Sequence, residues 1–341
     1  MKIGKISESV LKRSVLRQLK TKNENVICGA GVGDDCAIFT FSEGDRLCTC
    51  VQEGTVYIDS ENMSAEGMSV EDVTAVSISQ LVQKCVNNLV VSGAKPMAAM
   101  ITLLLPEWIE ESQIKAMMGE AEKICQNYSM QIAGGQTRVS GVVNAPVAVI
   151  TAYGKVSDEN TRTAASAKVG QDIVISKWIA LEGTAILAKR NREKLLGRYP
   201  AYLVEEAEMF DRYLSVVSEA EVALRAGVCA MHDASEGGIF AALWELAEGA
   251  GTGLTIDLKK LPLRQETVEV CECCNVNPYE LKSGGCLVMT CEDGLGLVAA
   301  LEAEGIPAVV VGKLTDSNDR IIMNEDEVRY MDRPRTDEIY K

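Results

Sequence analysis

Helix-like and strand-like hydrophobic patterns alternate along the whole chain. In the first half, apolar positions at helical spacing predict helices over residues 7–19, 69–91 and 107–127. Runs of β-branched, aromatic or continuously apolar residues predict strands over residues 36–41, 46–50, 97–105, 131–138 and 145–156. The strand at 131–138 is expected to break into a glycine turn, and the run at 97–105 is typical of a strand covered on both faces.

The second half repeats this alternation. Strands are predicted over residues 173–177, 228–231, 286–290 and 308–314, and helices from about residue 183 and over 204–226, 237–248 and 295–304. Between the halves, residues 157–168 are polar and small and lack an apolar period, which is typical of a boundary. The pattern predicts two α/β domains, at residues 1–157 and 168–330.

Composition and charge exclude several classes of function. The 341 residues are 47% hydrophobic, enough for two cores of about 150 residues each. A net charge of −15 disfavours nucleic-acid partners, because phosphate backbones bind basic surfaces. No apolar run reaches the roughly 18 residues of a membrane span, and the first residues lack the apolar core of a signal peptide. We expect a cytoplasmic protein without a membrane partner, its twelve cysteines mostly reduced.

A glycine-rich segment at residues 28–35 is the first candidate site. Alternate glycines, including Gly31 and Gly33, let the backbone approach a ligand, and Asp34 and Asp35 follow at once. Carboxylates repel phosphate, but a hard cation such as Mg²⁺ bridges the two. The segment is neither a P-loop nor a dinucleotide fingerprint, since a strand-like run follows it. Taken alone, it fits a glycine-rich turn with solvated aspartates equally well.

A second motif, at residues 231–238, ends a predicted strand and opens a predicted helix. Gly237 and Gly238 would leave amides free at the helix start to bind an anion. Asp233 could equally be a helix N-cap. His232 is the only histidine in the chain, and a packed, hydrogen-bonded role is favoured over catalysis.

The cysteines at 271–274 contain a C-x-x-C spacing. A zinc site would need a second such pair, which the sequence lacks, and the segment has a helical pattern. Packed thiols are therefore favoured over a structural zinc.

These segments, taken together and in this order, resemble the AIR synthase (PurM)-related superfamily. The matching segments are residues 31–35, 86–88, 92–96, 134–137, 181–185 and 232–238. Within the superfamily, the chain is most similar to the HypE-like hydrogenase expression/formation (maturation) proteins.

The resemblance implies a two-domain PurM-like α/β fold and a homodimer whose N-terminal strands pair into a barrel-like sheet. It also implies ATP with Mg²⁺, and activation of a substrate oxygen by phosphorylation from ATP. The partners would be a small-molecule substrate or a maturation partner protein.

Site residues also follow from the resemblance. Asp34 and Asp35 would bind Mg²⁺, and Asp35 and Asp233 would be catalytic. The residues around the nucleotide and the activated substrate would be Gly31, Gly33, Asp34, Asn87, Gly135, Thr137, Lys177, Gly237 and Gly238.

The sequence also departs from the family. Cys50, Asn88 and Gln136 stand where relatives usually carry aspartates, and each loss weakens a magnesium site. HypE proteins end in a cysteine that carries the carbamoyl group to be dehydrated. The sequence here ends in Tyr340–Lys341, which puts that specific dehydration in doubt.

Three hypotheses follow. The first is an ATP-dependent enzyme that relies on the retained Asp34–Asp35 pair. The second is a nucleotide-binding scaffold or assembly protein that has lost turnover. The third is an acidic dimer whose glycine segments are only turns, which the order of the motifs disfavours.

Overall fold

The computed structural model describes residues 3–31, 36–57 and 75–341. The chain forms two compact units. The N-terminal unit comprises Met1–Leu89 with Ala94–Thr161, and the C-terminal unit comprises Val90–Gly93 with Arg162–Lys341.

The N-terminal unit is built on a five-stranded sheet. The described strands of the whole unit are β1 (Gly4–Lys5), β2 (Val26–Cys28), β3 (Ile38–Phe39), β4 (Asp45–Thr55), β5 (Lys95–Leu105), β6 (Gln131–Val139) and β7 (Val147–Ser157). The sheet order is β1-β6-β5-β7-β4, and β2 and β3 form a separate pair. The predicted apolar strand is confirmed as β5, which lies at the centre, parallel to β6 and antiparallel to β7. The strand predicted at 36–41 is shorter, because β3 pairs only with the three-residue β2.

The helices of this unit differ from prediction mainly at their starts. They are α1 (Glu8–Val10), continued by a π-helical turn (Leu11–Val15) and a 3₁₀ turn (Leu16–Gln18), then α2 (Ile78–Val91) and α3 (Glu111–Asn127). The prediction that α2 begins at residue 69 is wrong within the described residues, because Val76 forms a β-bridge with Val56. Residues 69–74 lie outside the described residues. In α3, reciprocal hydrogen bonds between Glu110 and Gln113 cap the helix later than predicted.

The glycines at 134–135 do not form the predicted turn. Both lie inside β6, and Gly135 has a φ of +142°, which side chains rarely tolerate. A Cβ atom at Gly135 would lie 1.9 Å from the carbonyl oxygen of Ile101 on β5. The glycines thus serve close strand packing rather than a chain reversal.

The C-terminal unit contains a seven-stranded sheet. Its strands are β8 (Asp172–Ser176), β9 (Ala230–Ala234), β10 (Gly253–Asp257), β11 (Cys286–Cys291), β12 (Ala308–Thr315), β13 (Arg320–Asn324) and β14 (Glu327–Tyr330). Their order is β14-β13-β10-β12-β8-β11-β9. The sequence pattern missed β10, β13 and β14. The last of these is exposed along its length, so it lacks the apolar alternation of a half-buried strand.

The C-terminal unit also contains seven α-helices. They are α4 (Leu181–Arg190), α5 (Arg192–Leu196), α6 (Ala201–Glu208), α7 (Val217–Arg225), α8 (Gly238–Ala250), α9 (Gln265–Cys274) and α10 (Gly294–Ala303). The single helix predicted over 204–226 is wrong. A 3₁₀ turn at Met209–Tyr213 interrupts it and buries Phe210 against Leu181 and Ala185 of α4. In the part of the chain that the structure describes, no helix has the length and apolarity needed to cross a membrane.

Replacing Gly135 by alanine should lower the free energy of unfolding by about 3 kcal/mol, because the added methyl collides with the β5 backbone and the φ is strained. Gly170→Ala is the matched control. Gly170 also has a positive φ, +88°, but a Cβ there would meet no atom within 4 Å. We expect a loss of only about 1 kcal/mol for the control. Equal losses for both variants in chemical denaturation would contradict the close-packing account.

Candidate functional site

A cavity of about 450 Å³ lies in the N-terminal unit beside the glycine segments. Residues 29–31 and 134–137 line it, so the predicted ligands Gly31, Gly135 and Thr137 come together although the segments are about one hundred positions apart. Leu11, Val15 and other apolar residues of the first helical segment form another part of the wall. The cavity thus combines exposed peptide groups with an apolar surface, which suits a nucleotide.

The described lining of this cavity has little charge. Glu8 is its one charged side chain, and it pairs with Lys12, which lowers the pKa of the Glu8 carboxyl. Gln136, at a position where the resemblance to the family led us to expect aspartate, also lines the cavity and is exposed. No cationic side chain belongs to this lining, so a phosphate chain here would depend on backbone N–H groups and on a metal ion.

The predicted metal ligands lie outside the described residues. Gly33, Asp34 and Asp35 fall in the segment 32–35, so the magnesium site stays a prediction. Within residues 3–31, 36–57 and 75–341, no group of three or more histidine, cysteine or carboxylate side chains is arranged to hold a metal. Gly31, directly before the undescribed segment, lines the cavity. The glycine backbone on this wall fits a phosphate chain, and the next residues, Asp34 and Asp35, would bind its cation.

Asn87 and two of the three departures from the family lie away from the described cavity lining. Asn87 is buried in α2, and its Oδ1 accepts a hydrogen bond of 2.9 Å from Gln83 Nε2. The Cys50 thiol on β4 donates to the carbonyl oxygen of Cys85 at 3.4 Å, and Asn88 is half-buried in α2. The structure therefore brings only Gln136 of the three to the cavity.

In the C-terminal unit, Lys177 is a buried structural cation. Its Nζ donates to the carbonyl oxygens of Tyr213 at 2.8 Å and Ser215 at 2.6 Å, and it pairs with Glu219 at 2.5 Å. An ammonium group has three donors, so these contacts use all of them. For the predicted contact of Lys177 with a substrate, the substrate would have to replace one of these three internal partners.

Asp233 and His232 lie within β9 rather than after it. Asp233 is buried and lies opposite Leu287 of β11. His232 is half-buried, and its Nε2 lies 3.0 Å from Glu245 Oε2 on α8. This contact agrees with the expected hydrogen bond of His232, whose side chain remains 33% exposed.

The predicted anion site at the start of α8 is filled by the chain itself. The Gly237 amide donates to Asp337 Oδ2 at 2.7 Å, and Gly238 follows as the first helical residue. Asp337 Oδ1 accepts from the amides of Lys282 at 3.3 Å and Ile339 at 2.8 Å. Asp337 is 1% exposed. Sequence reasoning missed this carboxylate, since nothing in the adjacent acidic residues Asp337 and Glu338 indicates that one of them binds the start of α8.

The cysteine cluster of α9 consists of packed thiols. Cys271 and Cys273 are buried, and burial raises the pKa of the Cys271 thiol to about 12. Among the described residues, no group of three or more histidine, cysteine or carboxylate side chains here is arranged to hold a metal, which supports packed thiols over a structural zinc.

The sequence matches the AIR synthase related family over both units. The profile of the N-terminal domain of AIR synthase related proteins matches residues 33–156, and that of the C-terminal domain matches residues 168–324. The protein belongs to this family, and the predicted two-domain PurM-like α/β fold is confirmed.

Two curated relatives illustrate the similarity. A putative hydrogenase expression/formation protein of Methanocaldococcus jannaschii is 25% identical over 286 residues, which are 84% of this chain and 79% of that protein. Carbamoyl dehydratase HypE of Rhodobacter capsulatus is 27% identical over 234 residues, 67% of this chain and 66% of that protein.

Solved structures share the fold. The hydrogenase maturation protein HypE of E. coli superposes with a TM-score of 0.78 at 18% identity, covering 97% of this chain and 98% of HypE. A HypE in complex with ATP superposes with a TM-score of 0.76 at 16% identity, covering 98% of this chain and 96% of that HypE. A chain of a HypE–HypF complex gives 0.69 at 19% identity, covering 86% and 92%.

The Asp337 contact predicts a specific pH dependence of stability. Burial raises the pKa of the Asp337 carboxyl above its ordinary 3.8, although backbone N–H donors oppose the shift. The folded protein therefore holds this proton more tightly than the unfolded chain does. The resulting stabilisation is fully present below pH 3.8 and is lost as the pH rises through the raised pKa.

Asp337→Asn removes this titration. In chemical denaturation at a series of pH values, the free energy of unfolding of the wild type minus that of Asp337→Asn should decrease from about pH 4 to pH 7. Asp326→Asn, at an exposed position between β13 and β14, serves as the control and should show little change. A wild-type advantage that grows with pH would show that hydrogen bonding to the carboxylate outweighs its burial.

Proposed function

We propose that this protein binds ATP with Mg²⁺ in the N-terminal unit and acts as a HypE-like, AIR synthase-related phosphotransferase or dehydratase. It would activate an oxygen of a small substrate by phosphorylation, or assist the maturation of a hydrogenase or another metalloenzyme. The observation that carries the proposal is the cavity where the two glycine segments meet. The family, the HypE relatives and the ATP complex of a HypE with the same fold support it.

The proposed roles follow from the chemistry of each position. Backbone N–H groups of Gly31, Gly33 and Gly135 would contact phosphate oxygens, and Thr137 would donate from the cavity wall. Asp34 and Asp35 would hold Mg²⁺ against the phosphates. Because no cation is among the described lining residues, neutralisation of the phosphates falls to this metal.

On the substrate side, Asp233 is proposed as a catalytic carboxylate, and Lys177, Gly237 and Gly238 as substrate contacts. Lys177 and Gly237 already make the internal contacts described above. A substrate that engages them must exchange those contacts.

A second function has a specific observation in its favour. Gln136, a neutral residue, lines the cavity at a position where the resemblance to the family led us to expect a carboxylate. Fewer carboxylates weaken the hold on Mg²⁺, so nucleotide binding can persist where turnover fails. The alternative is therefore a nucleotide-binding scaffold in the assembly of another enzyme. The HypE–HypF complex is a precedent for a protein partner on this fold.

Calorimetric titration with ATP, with and without Mg²⁺, tests the proposal. We expect micromolar binding that depends on Mg²⁺ and is lost in Asp35→Ala, whereas Asp326→Ala, a matched loss of an exposed carboxylate in the other unit, should bind normally. A phosphate-release rate that Asp35→Ala abolishes supports the enzyme. Binding without any such rate supports the scaffold, and no binding heat in either condition contradicts both.

We also propose that the protein is a cytoplasmic homodimer joined through the edge of the N-terminal sheet. β4 is an eleven-residue edge strand, and it exposes Leu47 by 52% and Val51 by 56%. A long edge with apolar side chains favours pairing with another strand. Size-exclusion chromatography with light scattering should give twice the monomer mass for the wild type and the monomer mass for Val51→Lys. Val142→Lys, at an exposed residue outside the strands, should remain dimeric; a monomeric wild type would contradict this interface.

A further inference from the structure

The C-terminal unit contains a second cavity, of about 340 Å³, whose lining shares only Gly237 with the residues of the proposed function. Its floor includes Leu258 and Ile322, and its walls come from the start of α8, the segment before β11 and the segment after β14. The volume lies within the range of small-molecule sites.

One wall is aromatic. The rings of Phe240 and Tyr279 stack with centroids 5.1 Å apart and an angle of 12° between their planes, and both side chains are half-buried. The Phe240 amide donates to the Tyr279 carbonyl oxygen at 3.2 Å, which holds the two backbones together. The pair offers a flat, fixed apolar surface to a ligand ring.

The lining also carries three arginines against two carboxylates, Glu280 and Asp332, although the chain as a whole has a net charge of −15. Arg329, Arg333 and Arg335 all line the cavity. Arg329 forms two hydrogen bonds with Glu327, and Arg335 bonds to Asp332 at 2.9 Å.

Arg333 differs from its two neighbours. It is exposed and makes no ion pair or hydrogen bond with any residue in the described ranges. Its guanidinium is therefore available for an anion, which it can bind through two parallel N–H donors.

The arginine-bearing segment is held at both ends. Before it, the buried Met331 donates its amide to the Arg320 carbonyl oxygen at 2.8 Å. After it, the buried Asp337 accepts the amides of Gly237 and Lys282. Anchoring on both sides reduces the entropy that a ligand must remove on binding, so the wall is preorganised.

We propose that this cavity is a binding site for a small ligand that carries a planar ring and an oxyanion, either a carboxylate or a phosphate. The ring packs on the Phe240–Tyr279 wall, and the oxyanion pairs with Arg333. The site lies within one unit and needs no ATP; of the residues named above for the nucleotide and the substrate, only Gly237 also lines it.

Ligand-observed NMR titrations of the full chain test the site with defined probes. Benzoate and phenyl phosphate carry both features, benzyl alcohol carries only the ring, and acetate carries only the anion. We expect the two ring anions to bind at least tenfold more tightly than the single-feature probes, because a charge-assisted pair and ring contacts add to one another. Tighter binding of benzoate or of phenyl phosphate identifies the natural oxyanion.

Two variants locate the binding. Arg333→Gln should weaken the binding of both ring anions by roughly tenfold. The thermal unfolding temperature should stay unchanged, since the side chain is exposed. Arg190→Gln removes an exposed arginine that does not line the cavity and should have no effect. Tyr279→Leu should abolish the preference for ring-bearing anions over acetate. Equal affinity of benzyl alcohol and benzoate, or binding that Arg333→Gln leaves intact, would overturn the proposal.

Discussion

The close approach of two backbones at Gly135 is the constraint on which the N-terminal unit depends. A Cβ atom there would lie 1.9 Å from the Ile101 carbonyl oxygen, so only glycine allows β6 to pair with the central strand β5 in this register. The same absence of a side chain leaves peptide groups uncovered at the cavity. One packing requirement therefore fixes the sheet and creates the surface to which we assign phosphate binding.

The C-terminal unit satisfies its buried polar groups from within. Lys177 has all three donors engaged, and Asp337 takes the amide that an external anion would use at the start of α8. Unsatisfied buried groups are costly, so these internal partners stabilise the unit. Lys177 and Gly237, which we propose as substrate contacts, are thus already bonded within the protein, and a substrate must displace these internal partners.

Charge is distributed differently around the two cavities. The described lining of the N-terminal cavity lacks cations, so an anionic ligand there depends on backbone dipoles and on a metal. The C-terminal cavity has its own arginines and needs no metal to attract an anion. In a chain of net charge −15, the two proposed anion sites therefore depend on local groups and not on the overall electrostatic field.

The sequence by itself determined much of the architecture. The apolar run that forms β5, the helical pattern of α3 and the strand that becomes β11 were all predictable, because burial imposes a period or a continuous run on local sequence. The order of the glycine motifs was enough to identify the family. It also grouped Gly31, Gly135 and Thr137 as one site, and these residues do line one cavity.

Only the tertiary structure decided the remaining features. The glycines at 134–135 were predicted to form a turn, because local sequence preferences carry no information about the neighbouring strand that lies against them. The helix predicted at 204–226 is broken because Phe210 packs on α4, a contact between residues distant in sequence. The partners of Lys177 and Gly237 come from residues 36 to 100 positions away. Sequence patterns record which face is buried, whereas partner choice depends on which segments the fold brings together.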